Sequence, residues 1–409
     1  MKKLLFCLAV ILLPLTAQAK SRVSNGNVKT LQAVVNQDWL SPPVMRLRGD
    51  VLNVSFDELS HDYHRYVYHL EHCEFDWTPS DDIFESDWLE GFNDNPIDDY
   101  LPSLNTTVLY THYRFQIPNE RCRLKMSGNY RLHVLDEDSD EEVACVEFRV
   151  TEPLMNVGLG VTANTDFGLN RQYQQVAMTV NYNGLKVTNP EEQLRTLVMQ
   201  NGREDNMKSD VRPNYVRPDG LRWEHNRELI FEGGNEYHKF EVLDVSHPTL
   251  GIDHISWDGE HYQAYPFTNT PRPNYVYDED ANGAFLVRNS DNIENERTCD
   301  YVYVNYKLQP ARHYEGALVV VEGQWTTGDA ADYVMSYDEN ERSYNARILQ
   351  KQGYFSYQYV LRDFDGTTHS LPEEGSFAET ENHYQGLVYY KGTGERTWRL
   401  VGYQQVVFK

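Results

Sequence analysis

Along most of the chain, β-branched and aromatic residues alternate with polar ones. YVYVNYKL at 301–308, NYRLHVL at 129–135 and VACVEFRV at 143–150 carry the period of two that buries one face of a strand and leaves the other wet. YQYVL at 357–361 and LVYY at 387–390 follow the same rule. Turn signals recur at short intervals: Ser127-Gly128-Asn129, Asn183-Gly184, Asn201-Gly202, Gly233-Gly234, Asn282-Gly283 and Asp365-Gly366. Only short segments, such as SDDIFESDWLEGF near 80–92, leave room for a helical turn or two. The pattern predicts an all-β, multi-domain chain of Ig-like or early-set β-sandwiches.

Two breaks divide it. VEFRVTEP stops at Pro153, and a polar stretch without apolar periodicity, NSDNIENERTC, occupies 289–299. The expected domains are therefore 22–152, 153–293 and 294–409. Ahead of them, Lys2 and Lys3 precede the apolar run LLFCLAVILLPL, which closes on Ala17-Gln18-Ala19. That is the form of a cleavable secretory signal over 1–19. Cys7 lies within the apolar run rather than at its end, which argues against a lipid-modified cysteine. No later segment reaches the roughly 18 apolar residues of a membrane helix, so no direct membrane insertion is expected.

The formal net charge of −25 repels nucleic acid and anionic lipid, and neither is an expected partner. Four cysteines follow the signal: Cys73, Cys122, Cys145 and Cys299. In an oxidising compartment they permit three pairings. One bridge within the first domain and buried free thiols both remain open.

Candidate chemistry is sparse. VYHLEHCEFDWTPSDD at 67–82 gathers two histidines, a cysteine and several acids. Read as a strand, it points His69, Glu71 and Cys73 one way and Leu70 and His72 the other. His69 and Cys73 then stand about 13 Å apart, too far to share a zinc ion. The segment reads as a strand running into a turn, with Trp77 packed beneath it. Two acidic loops, DEDSDEE at 136–142 and YDEDANG at 277–283, approach a calcium-loop spacing. Glu141 stands where the first would need glycine, and Asn289 where the second would need a bidentate glutamate. Both read as solvated hairpin tips. No nucleophile elbow, zinc-protease motif, phosphate loop or C-x-x-C is present, and the fourteen histidines are scattered. The chain reads as non-enzymatic, with no cofactor or metal.

An ordered set of stretches carries a family resemblance: HCEFDWTPSD (72–81), YTHYRFQIPNE (110–120), SGNYRLHVL (127–135), LVMQNGRED (197–205), FEGGNEYHKFE (231–241) and LQKQGYFSYQYVL (349–361). In order and spacing they resemble the plug protein of the type IX secretion system, from about residue 28 to the C-terminus. The resemblance implies a non-enzymatic periplasmic protein. Its partner would be the large outer-membrane β-barrel of the translocon, whose periplasmic mouth it closes when no substrate passes. Exposed aromatics at a loop end suit such docking, and Trp88 and Phe92 in WLEGF are the candidates.

A second likeness touches the C-terminal part. EGQWTTGDA (322–330), SYNARILQKQGYFSYQYVLRDFDG (343–366) and ENHY (381–384) resemble early-set modules that bind starch or glycogen. Trp325 matches the first sugar-stacking tryptophan. Gln358 stands at the lysine position, and Thr367 and Thr368 at the second aromatic, so Trp325 reads as a packing residue. An exported glycan-binding accessory protein is the alternative function, and an exported hydrolase with an unrecognised site is a third.

Overall fold

The alternation becomes strands in the computed structural model, which describes residues 21–409. The segment 1–19 read as a secretory signal lies outside the described residues. YVYVNYKL is the strand Tyr301–Leu308, and 66–73 is a strand whose residues alternate between core and surface as far as His72. Leu70 and His72 face the core, whereas His69 and Glu71 lie on the outer face. Helix is limited to single turns, such as Glu85–Trp88. Asn183-Gly184 and Asn201-Gly202 each place two successive residues at positive φ, the backbone that a type I′ turn requires.

The first unit packs a six-stranded sheet against a four-stranded one. Gly128–Asp136 lies between Tyr66–Cys73 and Glu142–Thr151 in the larger sheet. The smaller sheet runs Val28–Val35, Leu52–Glu58, Thr111–Ile117 and Asp99–Pro102. Phe56, Tyr68, Tyr113, Tyr130 and Phe148 fill the space between them.

The other two units are not consecutive. Strands Leu194–Gln200 and Asn382–Tyr390 pair along their length, and Arg399–Phe408 adds to the same sheet. The last strands of the chain therefore complete the middle unit, whose core joins Met178 and Trp223 to Tyr384, Val388 and Val401. The third unit is inserted between Ile230–Glu232 and Asn382–Tyr390. Its two five-stranded sheets include His238–Val242 and Ile252–Trp257 as well as Tyr301–Leu308 and Gly353–Arg362. The boundary expected at 293 and the grouping of 294–409 as one domain are thus corrected.

The physical reason lies in the stretch that looked like a linker. Residues 289–299 form a loop of the third unit, including the turn of helix Asn295–Thr298, and it is polar because it docks on the first unit through its backbone. Tyr110 Oη donates to the carbonyls of Glu296 (3.2 Å) and Cys299 (2.8 Å), and Leu104 N–H donates to Arg297 O (2.8 Å).

Beneath that loop lies a buried ion pair. Lys351 Nζ is 2.7 Å from Asp57 Oδ2, with both side chains at most 1% exposed. Asp57 also accepts from Tyr301 Oη (2.7 Å) and contacts His112 Nδ1 (2.7 Å), while Lys351 donates to Glu296 O (2.7 Å) and sits 4.1 Å over the Tyr110 ring. Burial alone would raise the Asp57 carboxyl, but the Lys351 ammonium and His112 hold it below its ordinary range. Asp57 and His112 come from the first unit and Lys351 and Tyr301 from the third, so the pair exists only when the two are docked.

The seam with the middle unit is more apolar. Phe75 packs edge-on to Trp398 beside Leu197, Met199 and Tyr389. Glu74 accepts from Thr397 Oγ1 (2.8 Å) and Trp398 N–H (3.0 Å), and Tyr389 Oη donates to Asn129 (2.6 Å). Trp77 packs in this seam rather than only beneath its own turn. Arg149 stacks over its ring at 4.9 Å, and its indole N–H donates to Glu204 (3.3 Å).

Removing one partner of a buried pair strands the other charge. Lys351→Met is expected to cost about 3–5 kcal/mol and to open the 104–111 and 295–300 contacts. The double variant Asp57→Asn/Lys351→Met should recover part of that loss. Urea melts of the three chains, with limited proteolysis mapped to those loops, check both.

His72 provides a pH test. Its ring meets Ser80 Oγ (2.9 Å) and Ser127 O (3.4 Å), and burial pushes its pKa from 6.5 down to about 4. The folded state thus resists a proton that the unfolded chain accepts below about 6.5, so this contribution is lost as pH falls through the interval. Relative to His72→Asn, the wild-type chain should lose about 3 kcal/mol between pH 7.5 and pH 4. Paired urea melts at the two pH values would show the gap closing. A gap independent of pH would exclude a neutral buried His72.

Candidate docking surface and the cleft between units

The aromatics expected to anchor a partner divide between core and solvent. Trp88 ends the helical turn Glu85–Trp88 and is 6% exposed, packed against His72 and Tyr130. It cannot be a surface anchor, because a tryptophan at the end of one helical turn above a sheet falls into the core. Phe92, four residues on, is 75% exposed. The strand Leu89–Gly91 pairs with Cys122–Leu124, and Gly91 has φ +105°. A Cβ there would lie 2.1 Å from Arg121 O, so glycine alone lets the two backbones approach and turns the chain outward at Phe92. Phe92 N–H donates to that same carbonyl (3.0 Å), which fixes the backbone beneath a free ring. Phe84, at the other end of the excursion, is also exposed, with Arg396 of the middle unit 5.6 Å from its ring centroid. It belongs to the same SDDIFESDWLEGF segment, and its place ahead of the helical turn was the signal for it.

Trp325 is buried at 8% exposure in the third unit. It stacks on Tyr306 (6.2 Å) and meets Tyr333 and Phe355 edge-on, while its indole N–H donates to Ser356 O (3.1 Å). Its ring packs mainly on protein neighbours rather than standing on an open face as a sugar-stacking tryptophan would. Gln358, at the lysine position, donates to Glu322 (2.9 Å).

The acidic loops turn their carboxylates on the protein. Asp136 accepts from Asp138 N–H (3.1 Å), Ser139 N–H (2.9 Å) and Ser139 Oγ (3.0 Å). Asp280 accepts from the backbone N–H of Tyr237 and of Asn282, and Lys239 donates to Asp278 (2.6 Å). Burial pushes the Asp280 carboxyl up to about 7. Cys73, Cys122, Cys145 and Cys299 are all buried free thiols, which resolves the choice left open by their number.

A cleft of about 290 Å³ opens where the three units meet, lined among others by Trp39, Trp77, Arg149, Arg203, Tyr237 and Glu322. No histidine, lysine or cysteine is among its lining residues, which carry carboxylates, hydroxyls and guanidinium groups between aromatic side chains. Its residues come from strands and turns remote from one another in sequence, and no local motif marks them.

The sequence comparisons bear on this geometry. Residues 28–152, the first unit from its second strand onward, match the family described as type 9 secretion system plug protein, first domain. No curated protein matches the chain. Among solved structures, the crystal structure of a hypothetical protein from Parabacteroides merdae is 32% identical. The match covers 96% of this chain and 100% of that one, with a TM-score of 0.91. The C-terminal domain of the antigen I/II polypeptide BspA from Streptococcus agalactiae is 7% identical, with 95% and 98% of the two chains covered, and has a TM-score of 0.15. The three N-terminal domains of the outer capsid protein Hoc from bacteriophage RB49 are 10% identical, with 92% and 96% covered, and score 0.15. Scores that low give the last two no weight. The nested arrangement of three β units is shared with the Parabacteroides protein over 96% of this chain and all of that one, and this chain belongs to the plug protein family of the type IX secretion system.

Proposed function

We propose that the protein is a non-enzymatic periplasmic plug. It binds the outer-membrane translocon barrel of the type IX system and closes its periplasmic opening while no substrate is passing. The family match of the first unit carries this reading. Mechanical character supports it, since a plug must block a wide aqueous pore without being threaded itself. The buried Asp57–Lys351 pair and the Trp398 seam fasten the first unit to both others, and the inserted third unit is anchored in the middle unit at both of its ends. Among the described residues no helix is long and apolar enough to cross a membrane, which suits docking on a barrel rim from the aqueous side.

Phe92, exposed beside Gly91 with the buried Trp88 behind it, is the anchor proposed for this role. The alternative of glycan binding lost its residue when Trp325 proved to be core.

The test is affinity purification of the chromosomally expressed protein, tagged after Lys409, from membranes solubilised in mild detergent. A very large barrel should co-purify in near-equal amount. Phe92→Ala should reduce its recovery by about tenfold or more, as for an aromatic hot spot, whereas Phe364→Ala, an equally exposed aromatic on the third unit, should not. Recovery of the protein alone, under conditions that preserve other envelope complexes, would overturn the plug reading. Undiminished recovery with Phe92→Ala would remove only the anchor.

A further inference from the structure

The outer face of the first unit's larger sheet holds a mixed donor set that the plug reading does not use. His133 lies directly across from Cys145 on one neighbouring strand and from His69 on the other. Glu142 is three residues from Cys145, a spacing that in a regular strand would send the two side chains to opposite faces. The pairing is not regular there. Val134 faces Ala144 but Leu135 faces Glu142, so one extra residue, Val143, is accommodated on the Glu142–Thr151 strand. That bulge returns Glu142 to the face shared by His133 and Cys145. One nitrogen of His133, one carboxylate oxygen of Glu142 and the Cys145 sulfur all lie within 4.8 Å of one another.

We infer that His133, Glu142 and Cys145 form a binding site for a thiolate-accepting divalent cation, zinc above all. The donor types select it: imidazole, carboxylate and thiolate together suit zinc, whereas calcium and magnesium take oxygen alone. Ligands around tetrahedral zinc sit about 2.0–2.3 Å from the ion, so small rotations of the side chains would close the set around it. His133 Nδ1 faces Glu142 Oε2 at 2.5 Å, while Nε2 points toward Glu71 Oε2 at 3.7 Å. Nδ1 is then the ligating nitrogen, and Glu71 is the outer carboxylate that orients the ring, the usual partner of a zinc-bound histidine. Cys145 is fully buried at the floor, and the partly exposed His133 and Glu142 form the entrance. Arg22 Nη2 holds the other oxygen of Glu142 at 2.8 Å, and Arg131 pairs with Glu147 (3.0 Å). With three protein ligands, the fourth position is left to water or an incoming donor. The ion would tie two central strands together at a bulge where their backbone ladder is interrupted.

Cobalt(II) serves as the probe, because a cobalt–thiolate bond has its own absorption. Adding it to the full, metal-stripped mature chain should give a sulfur-to-cobalt charge-transfer band and the intense visible bands of a four-coordinate ion. Both should saturate at one equivalent and vanish on adding zinc. Cys145→Ser should abolish the charge-transfer band, while Cys299→Ser, equally buried in another unit, should retain it. Glu142→Gln keeps the thiol and should weaken binding by at least about tenfold, in the range of altered ligand shells. Near-ultraviolet circular dichroism would confirm that each variant is folded. Absence of the band in the folded wild-type chain, or its persistence in folded Cys145→Ser, would overturn the proposal and leave a hydrogen-bonded imidazole–carboxylate pair only.

Discussion

The contact between Asp57 and Lys351 is what the rest of the architecture depends on. Two opposite charges without water are tolerated only if each finds its full set of partners. Asp57 is satisfied by Lys351, His112 and Tyr301, and Lys351 by Asp57, the Glu296 carbonyl and the face of Tyr110. Since these groups come from two units, the arrangement specifies one docking geometry and penalises any sliding that would expose or strand a charge. The polar loop 289–299 follows from the same requirement, because its carbonyls provide acceptors around the pair.

The nested chain path adds a second constraint. A unit inserted into another is tethered at both of its ends, so it cannot swing as a terminal domain can. The middle unit is closed by strands from both sides of that insertion. Around the junction, Trp77, Arg149 and Glu204 continue the contact between first and middle units into the cleft.

Much of the fold was legible in the alternation of residues. The strand Tyr301–Leu308 coincides with YVYVNYKL, and the split of Leu70 and His72 from His69 and Glu71 follows directly from the period of two. Phe92 lies exposed, as an aromatic at a loop end is expected to be. Trp88 was misjudged because its burial depends on Tyr130, more than forty residues away. The boundary at 293 failed for a related reason: polarity marks both a solvated linker and a loop whose polar groups are satisfied across an interface, and sequence alone does not distinguish them.

The sequence by itself determined the strands, their turns, the all-β class and the lack of catalytic motifs, because these rest on near neighbours and side-chain period. Only the tertiary structure decided which strands share a sheet, that the C-terminal strands complete the middle unit, and which polar groups meet. The cluster of His133, Glu142 and Cys145 illustrates the difference. The stretch 67–82 drew attention by its composition, yet its own His69 and Cys73 point along one face of a single strand, too far apart to act together. The set that converges does so across two strands, with Glu142 turned onto their common face by a single bulge. Register and bulges arise from pairing between distant segments, and a one-residue shift reverses every side chain.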